Sequence, residues 1–443
     1  MPESIINYYK NKNIGFIGVG VSNTPIIKLF AENNISVTVR DKNEIETKLD
    51  NVSYVLGEDY LRNIKEDVLF LSPAVRPDLP ELTEAKNDGV IITNEMEEFF
   101  RHCKCKTIAV TGSDGKTTTT TLIAMLLEKS GKKVFLGGNI GANLFCELDN
   151  ITNDDYVVCE LSSFQLMKMT HSPNIAIITN ISPNHLDWHI DFNEYKEAKK
   201  NILAFQNKND VCIINADDKF SDEFIKSAKG KIYYTSGNKK IQNGVYFDEN
   251  AIYAFGKKII DSKDILLVGV HNKYNYCQAI AATYNYVNCK DILAVASSFG
   301  GVKHRCQFIR TFKEVKYYNS SMDSSPTRTI AALNSFNQKV ILIAGGYDKK
   351  IPLEPLIPVL EDKTKAVFLM GSTADKLELL MRENNYSGSI HRVSSMQEAV
   401  NKTTSFAEKG DIILLSPAAA SFDMFKNFDE RGQIFIDLVN GLE

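Results

Sequence analysis

The sequence predicts an α/β protein of three successive domains, each built on a mostly parallel sheet covered by helices. Three observations predict it. Short, near-continuous apolar runs alternate with helix-length stretches almost from end to end, which is how strands buried on both faces read. Four of those runs lead directly into Gly-rich turns, the usual exit from a strand into a helix at a ligand site. And 443 residues exceed what one core sustains, because domains run to roughly 100–200 residues.

In order, the runs are Asn13–Gly18, Ser36–Arg40, Asp67–Ser72 and Val90–Thr93, then Lys106–Thr111, Lys133–Leu136, Tyr156–Glu160, Ile175–Asn180 and Val211–Asn215. Lys339–Ala344, Ala366–Met370 and Asp411–Ser416 follow. A charged stretch, Glu95–Lys106, separates the first group from the second, and Gly300-Gly301 is a natural hinge before the third. The expected domains are therefore 1–94, 95–301 and 302–443. Within the middle one, Lys231–Ile265 is rich in Tyr, Gly and Asn and reads as short β-hairpins, a small β subdomain.

Hydrophobic content of 44% and charged content of 24% are those of a soluble globular protein. A net charge of −4 excludes an overall basic field for nucleic acid. Eight cysteines are scattered, several inside apolar runs such as Val157-Val158-Cys159, a pattern suited to reduced thiols in a cytoplasmic protein. Cys103 and Cys105 form a close pair, but no second pair stands at metal-ligand spacing. The N-terminal MPESIINYYKNK lacks a signal pattern, and no apolar run approaches the roughly 20 residues of a membrane span. Cytoplasmic localisation without membrane insertion is the expectation.

The sharpest chemical signal is Ile108-Ala109-Val110-Thr111-Gly112-Ser113-Asp114-Gly115-Lys116-Thr117-Thr118. An apolar strand meets a Gly-rich turn, then Gly-Lys-Thr, then an amphipathic stretch. Glycines let backbone N–H groups crowd around phosphate oxygens, and the helix N-terminus adds positive potential. Lys116 would reach the terminal phosphates and Thr117 a Mg²⁺ ion. Val110 stands where the strict motif has its first Gly. Gly112, Ser113, Asp114, Gly115, Lys116, Thr117 and Thr118 are the candidate nucleotide contacts. Asp114 is an anion near phosphates, tolerable where it points outward or faces the metal. Glu160 closes a strand from which a carboxylate can reach a metal held by this loop; a solvated strand-end acid is the alternative.

In the first domain, Gly15-Phe16-Ile17-Gly18-Val19-Gly20 opens a turn, and Asp41 ends the next strand, the layout of a Rossmann-like dinucleotide fold. Asn23 replaces the third Gly of the fingerprint, so a plain Gly turn stays open as a reading.

Together these segments resemble the Mur ligase family, whose phosphate loop is similar to T-G-[ST]-N-G-K-[ST]-T, with Asp114 here in place of Asn. Glu160-Leu161-Ser162-Ser163-Phe164-Gln165-Leu166 resembles the D-glutamate-adding branch. The resemblance implies a Rossmann-like first domain, a central P-loop ATPase-like domain and a Rossmann-like last domain. It implies an ATP-dependent ligase that joins D-glutamate to UDP-N-acetylmuramoyl-L-alanine through an acyl phosphate, with domains closing around ATP. Lys116, Glu160, His185 and Lys199 would be catalytic. Thr117 and Glu160 would hold one Mg²⁺, and His185 with a carbamylated Lys199 a second. Read without the family, Lys199 is equally a solvated helix lysine. Val21, Ser22, Asp41, Lys42, Ser72, Asn139, Ser162 and Gln165 would meet the UDP substrate. Asn272, Arg305 and Asp323 would meet ATP. Lys349, Ser421, Phe422 and Phe428 would meet D-glutamate; unaided, Phe422, Phe425 and Phe428 read as core. The chain departs from the family at Ala74, at Cys306-Gln307, and at Ser320 and Met322, where Asp and Lys are usual. Either Asp323 substitutes through a shifted loop or the nucleotide contacts differ. A monomer is expected. A sibling ligase using another amino acid, a nicotinamide dehydrogenase suggested by the first Gly turn, and a non-catalytic UDP-sugar-binding regulator stay open.

Overall fold

The computed structural model describes residues 4–46 and 48–443. The chain forms two compact units, one running to Ser262 and resuming over Lys273–Val295, the other made of Lys263–Asn272 and Ala296–Glu443.

The first unit carries two sheets. The first sheet holds β1 (Ile14–Ile17), β2 (Val37–Asp41), β3 (Val52–Leu56), β4 (Val68–Leu71) and β5 (Ile91–Thr93), all parallel, in the order β3-β2-β1-β4-β5. β1 and β4 are buried throughout, as their unbroken apolar runs require. β3 is a half-exposed edge strand, and its mixed Val-Ser-Tyr-Val-Leu hides it from a search for apolar runs. Gly18 leaves β1 with φ +83°, and a Cβ there would come within 2.9 Å of the Ser72 side chain. The turn can therefore lie on Ser72 only because position 18 is glycine. Phe16, Phe30 and Phe70 pack beneath this sheet with Tyr9 and with Phe145 from the following segment.

The second sheet has nine strands: β6 (Lys106–Thr111), β7 (Val134–Gly138), β8 (Tyr156–Glu160), β9 (Ile175–Ile178), β10 (Val211–Asn215), β11 (Lys231–Ser236), β12 (Gly244–Phe247), β13 (Ala251–Ala254) and β14 (Lys257–Asp261). Their order is β14-β13-β12-β11-β10-β9-β6-β8-β7. The Tyr- and Asn-rich segment does contain hairpins, β12 to β14. They extend the edge of the central sheet, because β11 and β12 join it in parallel. β6 pairs with both β8 and β9. The connection from β6 runs to β7 on one side and that from its neighbour β9 to β10 on the other, which opens a crevice at their C-terminal ends.

The second unit has six strands: β15 (Gln307–Phe312), β16 (Val315–Asn319), β17 (Val340–Ala344), β18 (Thr364–Leu369), β19 (Ser389–Arg392) and β20 (Ile412–Leu415), in the order β15-β16-β20-β17-β18-β19. Only β15 runs antiparallel. The β15–β16 hairpin turns on Lys313 and Glu314, with φ +47° and +64°, the shape of a tight I′ turn built without the usual Asn-Gly.

Candidate active site

The loop after β6 is shaped by its glycines. Gly112 has φ +143°, and a Cβ there would strike Thr179 Oγ1 at 1.9 Å; Gly115 has φ +78° and faces Asn275 Oδ1 at 2.5 Å. The end of β9 clasps the loop. Ser113 N–H donates to Asn180 O at 2.9 Å, Asp114 N–H to Asn180 Oδ1 at 2.9 Å, and Thr179 Oγ1 to Asp114 O at 2.6 Å. The Ser113 hydroxyl is buried between Ser182 O at 2.8 Å and Tyr195 OH at 2.9 Å. Asp114 is exposed, so this anion meets solvent.

A helix of 14 residues starts at Lys116, and its first-turn N–H groups, which have no acceptor within the helix, lie at the loop. Lys116 Nζ folds back over it, donating to Gly112 O at 3.0 Å and Ser113 O at 2.9 Å. Thr117 Oγ1 donates to Glu160 Oε2 at 2.7 Å, while Asn139 Nδ2 donates to Glu160 Oε1 at 2.8 Å. The buried strand-end acid is thus joined to the loop, which rules out the solvated reading of Glu160.

Lys199 is 1% exposed. Its Nζ donates to Thr111 Oγ1 at 3.1 Å and Gly112 O at 2.9 Å, so it is not a solvated helix lysine. Burial, reinforced by the Lys116 charge, pushes its pKa well below the ordinary lysine value. His185 is held at φ +55°. Its pKa is lowered by partial burial and then by the charges of Lys116 and Lys199, which keeps the imidazole neutral near pH 7.

Around the first sheet, Val19 N–H donates to Asp41 Oδ2 at 3.1 Å, and Asn143 Nδ2 to Ser22 O at 2.7 Å. Val21 is 93% exposed at this turn; Lys42 is exposed too, while Ser72 lies buried under it. Ser162 and Gln165 engage each other. The Ser162 hydroxyl caps the helix Ser163–Leu166, and Gln165 Oε1 accepts from Ser162 N–H at 2.9 Å. The pair therefore shapes the backbone after Glu160 and leaves Gln165 buried.

In the second unit, Asn272 Nδ2 donates to Val268 O at 2.6 Å, and Arg305 to Met322 Sδ at 3.4 Å. Asp323 is buried, accepts from Ser416 Oγ at 2.8 Å, and has its pKa raised by burial. It braces the end of β20 rather than facing solvent. Ser320 is equally buried and accepts from Cys306 N–H at 3.0 Å. Lys349 lies exposed on the turn after β17, with Nζ 3.5 Å from Ser324 Oγ. That turn bridges to the Ser421 segment through Tyr347 N–H and Ala420 O at 2.9 Å. The structure therefore brings Lys349, Ser421 and Phe422 together. Phe422 is 64% exposed and Phe428 39%, so the reading as core fails for these two rings, whereas half-buried Phe425 packs against the core around Phe435 and Val439; the helix begins only at Phe428.

Sequence reasoning missed three contributors: Asn275 against Gly115, Tyr195 beside Ser113, and Arg431. Arg431, 1% exposed, donates to Ala419 O, Ala420 O, Ser321 O and Ser321 Oγ at 2.9–3.2 Å. Burial lowers its pKa to about 10. Asn275 was findable, three residues beyond Asn272 on one helix face.

A strand, a glycine-shaped loop, a Gly-Lys-Thr helix start and a strand-end carboxylate bonded to the Thr define a nucleotide-binding α/β enzyme of the phosphate-loop type. A family model described as Mur ligase middle domain matches residues 110–283, and one described as Mur ligase, glutamate ligase domain, matches residues 304–419. The sequence is 47% identical, over 98% of both chains, to UDP-N-acetylmuramoylalanine–D-glutamate ligase of Clostridium botulinum. It is 46% identical to the ligase of the same name from Acetivibrio thermocellus, covering 98% of this chain and 97% of that one. Among solved structures, MurF of Acinetobacter baumannii matches with a TM-score of 0.61 at 17% identity, covering 96% of this chain and 90% of that one. UDP-N-acetylmuramate-alanine ligase of Thermotoga maritima matches at 0.58 and 19% identity, covering 97% and 99%; both likenesses bear on the fold alone. The chain belongs to the Mur ligase family.

Proposed function

We propose that this chain is a cytoplasmic, monomeric, ATP-dependent ligase that joins D-glutamate to UDP-N-acetylmuramoyl-L-alanine, a step of peptidoglycan precursor synthesis. The observation that carries the chemistry is the convergence of Lys116, the Thr117–Glu160 pair and buried Lys199 on one glycine-shaped loop. The near-full-length identity to D-glutamate ligases supports the choice of amino acid. No described helix is long and apolar enough to cross a membrane.

A free carboxylate is a poor electrophile, so the acyl substrate first takes the γ-phosphoryl group of ATP, releasing ADP. The amine of D-glutamate then attacks the acyl carbon, phosphate departs, and the nitrogen loses a proton to leave the amide. The first step brings a carboxylate to a triphosphate. Lys116 and the first-turn N–H groups after Gly115 offset that repulsion with fixed positive charge. Thr117 and Glu160 offer two adjacent hard oxygen donors, which suits Mg²⁺. Among the described residues no three His, Cys, Asp or Glu side chains cluster to hold a metal, so phosphate oxygens and water would complete the shell. Bound there, the ion would neutralise phosphate charge. An unmodified Lys199 offers no oxygen donor, so a second ion beside neutral His185 fits only with Lys199 as its carbamate. Burial that keeps the amine neutral also favours its addition to carbon dioxide.

We assign residues 1–94 to the UDP end of the substrate, 95–301 to ATP and the acyl group, and 302–443 to D-glutamate, through Lys349, Ser421, Phe422 and Phe428. The test is phosphate release from ATP with UDP-N-acetylmuramoyl-L-alanine, with and without D-glutamate. Release that depends on D-glutamate and disappears in Lys116→Ala is expected. Full activity in Lys116→Ala would remove the assignment of the site.

A further inference from the structure

Within the first unit, a chain of polar contacts joins the loop after β4 to three segments of the site. Arg76, just beyond Ser72, grips Glu194 through two bonds, NH2 to Oε1 at 2.9 Å and NH1 to Oε2 at 3.2 Å. The same guanidinium donates to Trp188 O at 2.9 Å and lies 5.1 Å over the Trp188 ring. Trp188 Nε1 returns a bond to Ala74 O at 3.2 Å. Glu194 stands in the first turn of the helix Phe192–Ala204, which carries Tyr195 and Lys199. Its Oε2 also lies 3.2 Å from His189 Nδ1, and His189 Nε2 lies 2.9 Å from Ser163 Oγ. A carboxylate only accepts, so Nδ1 carries the proton and Nε2 accepts from the Ser163 hydroxyl. Ser163 follows Ser162 directly and lies three residues beyond Glu160. Phe164 packs on His185, Trp188 and His189 at ring separations of 4.9, 4.7 and 5.7 Å.

Such a two-bond Arg–carboxylate contact fixes orientation as well as distance. This one is partly shielded, with side chains 23% and 21% exposed, and it is continued by buried groups on one side. Asp78 holds Arg76 from the other side, at 2.6 and 2.9 Å. Asp78 and His189 face the pair directly, and two more charges act on them, Lys168 on Asp78 and Lys199 on His189.

We propose that Arg76, Glu194 and His189 form a positioning latch between the Ser72–Arg76 loop and the His185–Lys199 region. The latch fixes how far the acyl end of a substrate anchored by its nucleotide at the Gly18–Ser22 turn lies from the phosphate loop. It rests on the reading of the first sheet as the UDP-binding part. The residues act through the segments they hold, not by touching the reacting atoms.

The latch matters for a ligand that spans both sheets and not for one held by the first sheet alone. Titration calorimetry on the full chain separates the two, using UDP and UDP-N-acetylmuramoyl-L-alanine as probes. Arg76→Ala and Glu194→Gln should each weaken the full substrate about tenfold, and the double variant by no more than either alone, since both remove one contact. UDP affinity should stay at the wild-type value in all three. Thermal unfolding checks folding, and if Arg76→Ala is unfolded, Glu194→Gln carries the test. Unchanged affinity for the full substrate overturns the latch. So does equal weakening of both ligands, which would place Arg76 in general folding or the nucleotide pocket. So do additive effects in the double variant. A wild-type protein that binds the full substrate but not UDP instead overturns the reading of the first sheet, and the latch with it.

Discussion

Two loops in this chain are held by a buried basic side chain, and they use different ones. At the phosphate loop it is the amine of Lys199, bonded to Gly112 O and Thr111 Oγ1. At the segment leading to Ser421 it is Arg431, bonded to Ala419 O, Ala420 O and Ser321. Burial lowers both pKa values, but Lys199 falls far below its ordinary value while Arg431 still titrates at about 10. A guanidinium stays charged and presents a rigid fork, so it fixes shape; an ammonium gives up its proton more readily and becomes a nucleophile. The first loop is therefore built for chemistry and the second for a constant outline. Glycines reinforce the difference, since Gly112 and Gly115 take positive φ where N–H groups must approach phosphate, whereas Ala418 is held at φ +57° in the other segment.

The largest effect should come from breaking the reactive half. Lys199→Arg puts a permanent positive charge in place of the tunable amine, and turnover should fall by roughly 10³-fold, the scale of losing a group that acts on developing charge. Activity within the range of the wild type would show that Lys199, like Arg431, only fixes shape. Thermal unfolding separates this from a failure to accommodate the larger side chain.

The reverse experiment is Arg431→Lys, a point charge in place of a fork. Carbonyls of Ala419 and Ala420 lose donors inside the domain, and unfaced buried polar groups cost about 1–3 kcal/mol each. A destabilisation of about 3 kcal/mol in denaturant unfolding is expected, with the KM for D-glutamate raised and that for ATP unchanged. A fully stable variant would make the fork dispensable and dissolve the contrast.

The same contrast explains what could be read from the sequence. The phosphate loop was legible because its parts are contiguous: strand, glycines, lysine and helix start fall within Ile108–Thr118. The strands with unbroken apolar runs were legible for the same local reason. Arg431 was not, because its partners lie at Ser321 and Ala419–Ala420 and only folding joins them. The Arg76–Glu194–His189–Ser163 chain was hidden likewise. β3 escaped because an edge strand needs no continuous apolar run, and the β15–β16 hairpin because Lys313-Glu314 carries no turn signature. Ser162 and Gln165 teach a subtler point. Their S-x-x-Q spacing is also that of a helix capping box, and the fold uses them that way.

The smallest expected effect lies at the exposed rim of the shape-fixing half. Lys349 sits on a turn held in place by the Tyr347–Ala420 contact, with its ammonium beside Ser324 and open to solvent. A solvated charge contributes less than a buried one, because water and salt screen it. Lys349→Met should therefore raise the KM for D-glutamate about tenfold while leaving kcat and stability near wild type, as expected for lost uniform binding. Its effect should shrink further as ionic strength rises. An equal fall in kcat would instead mean that Lys349 contributes to the transition state and belongs with Lys116 and Lys199 on the reactive side.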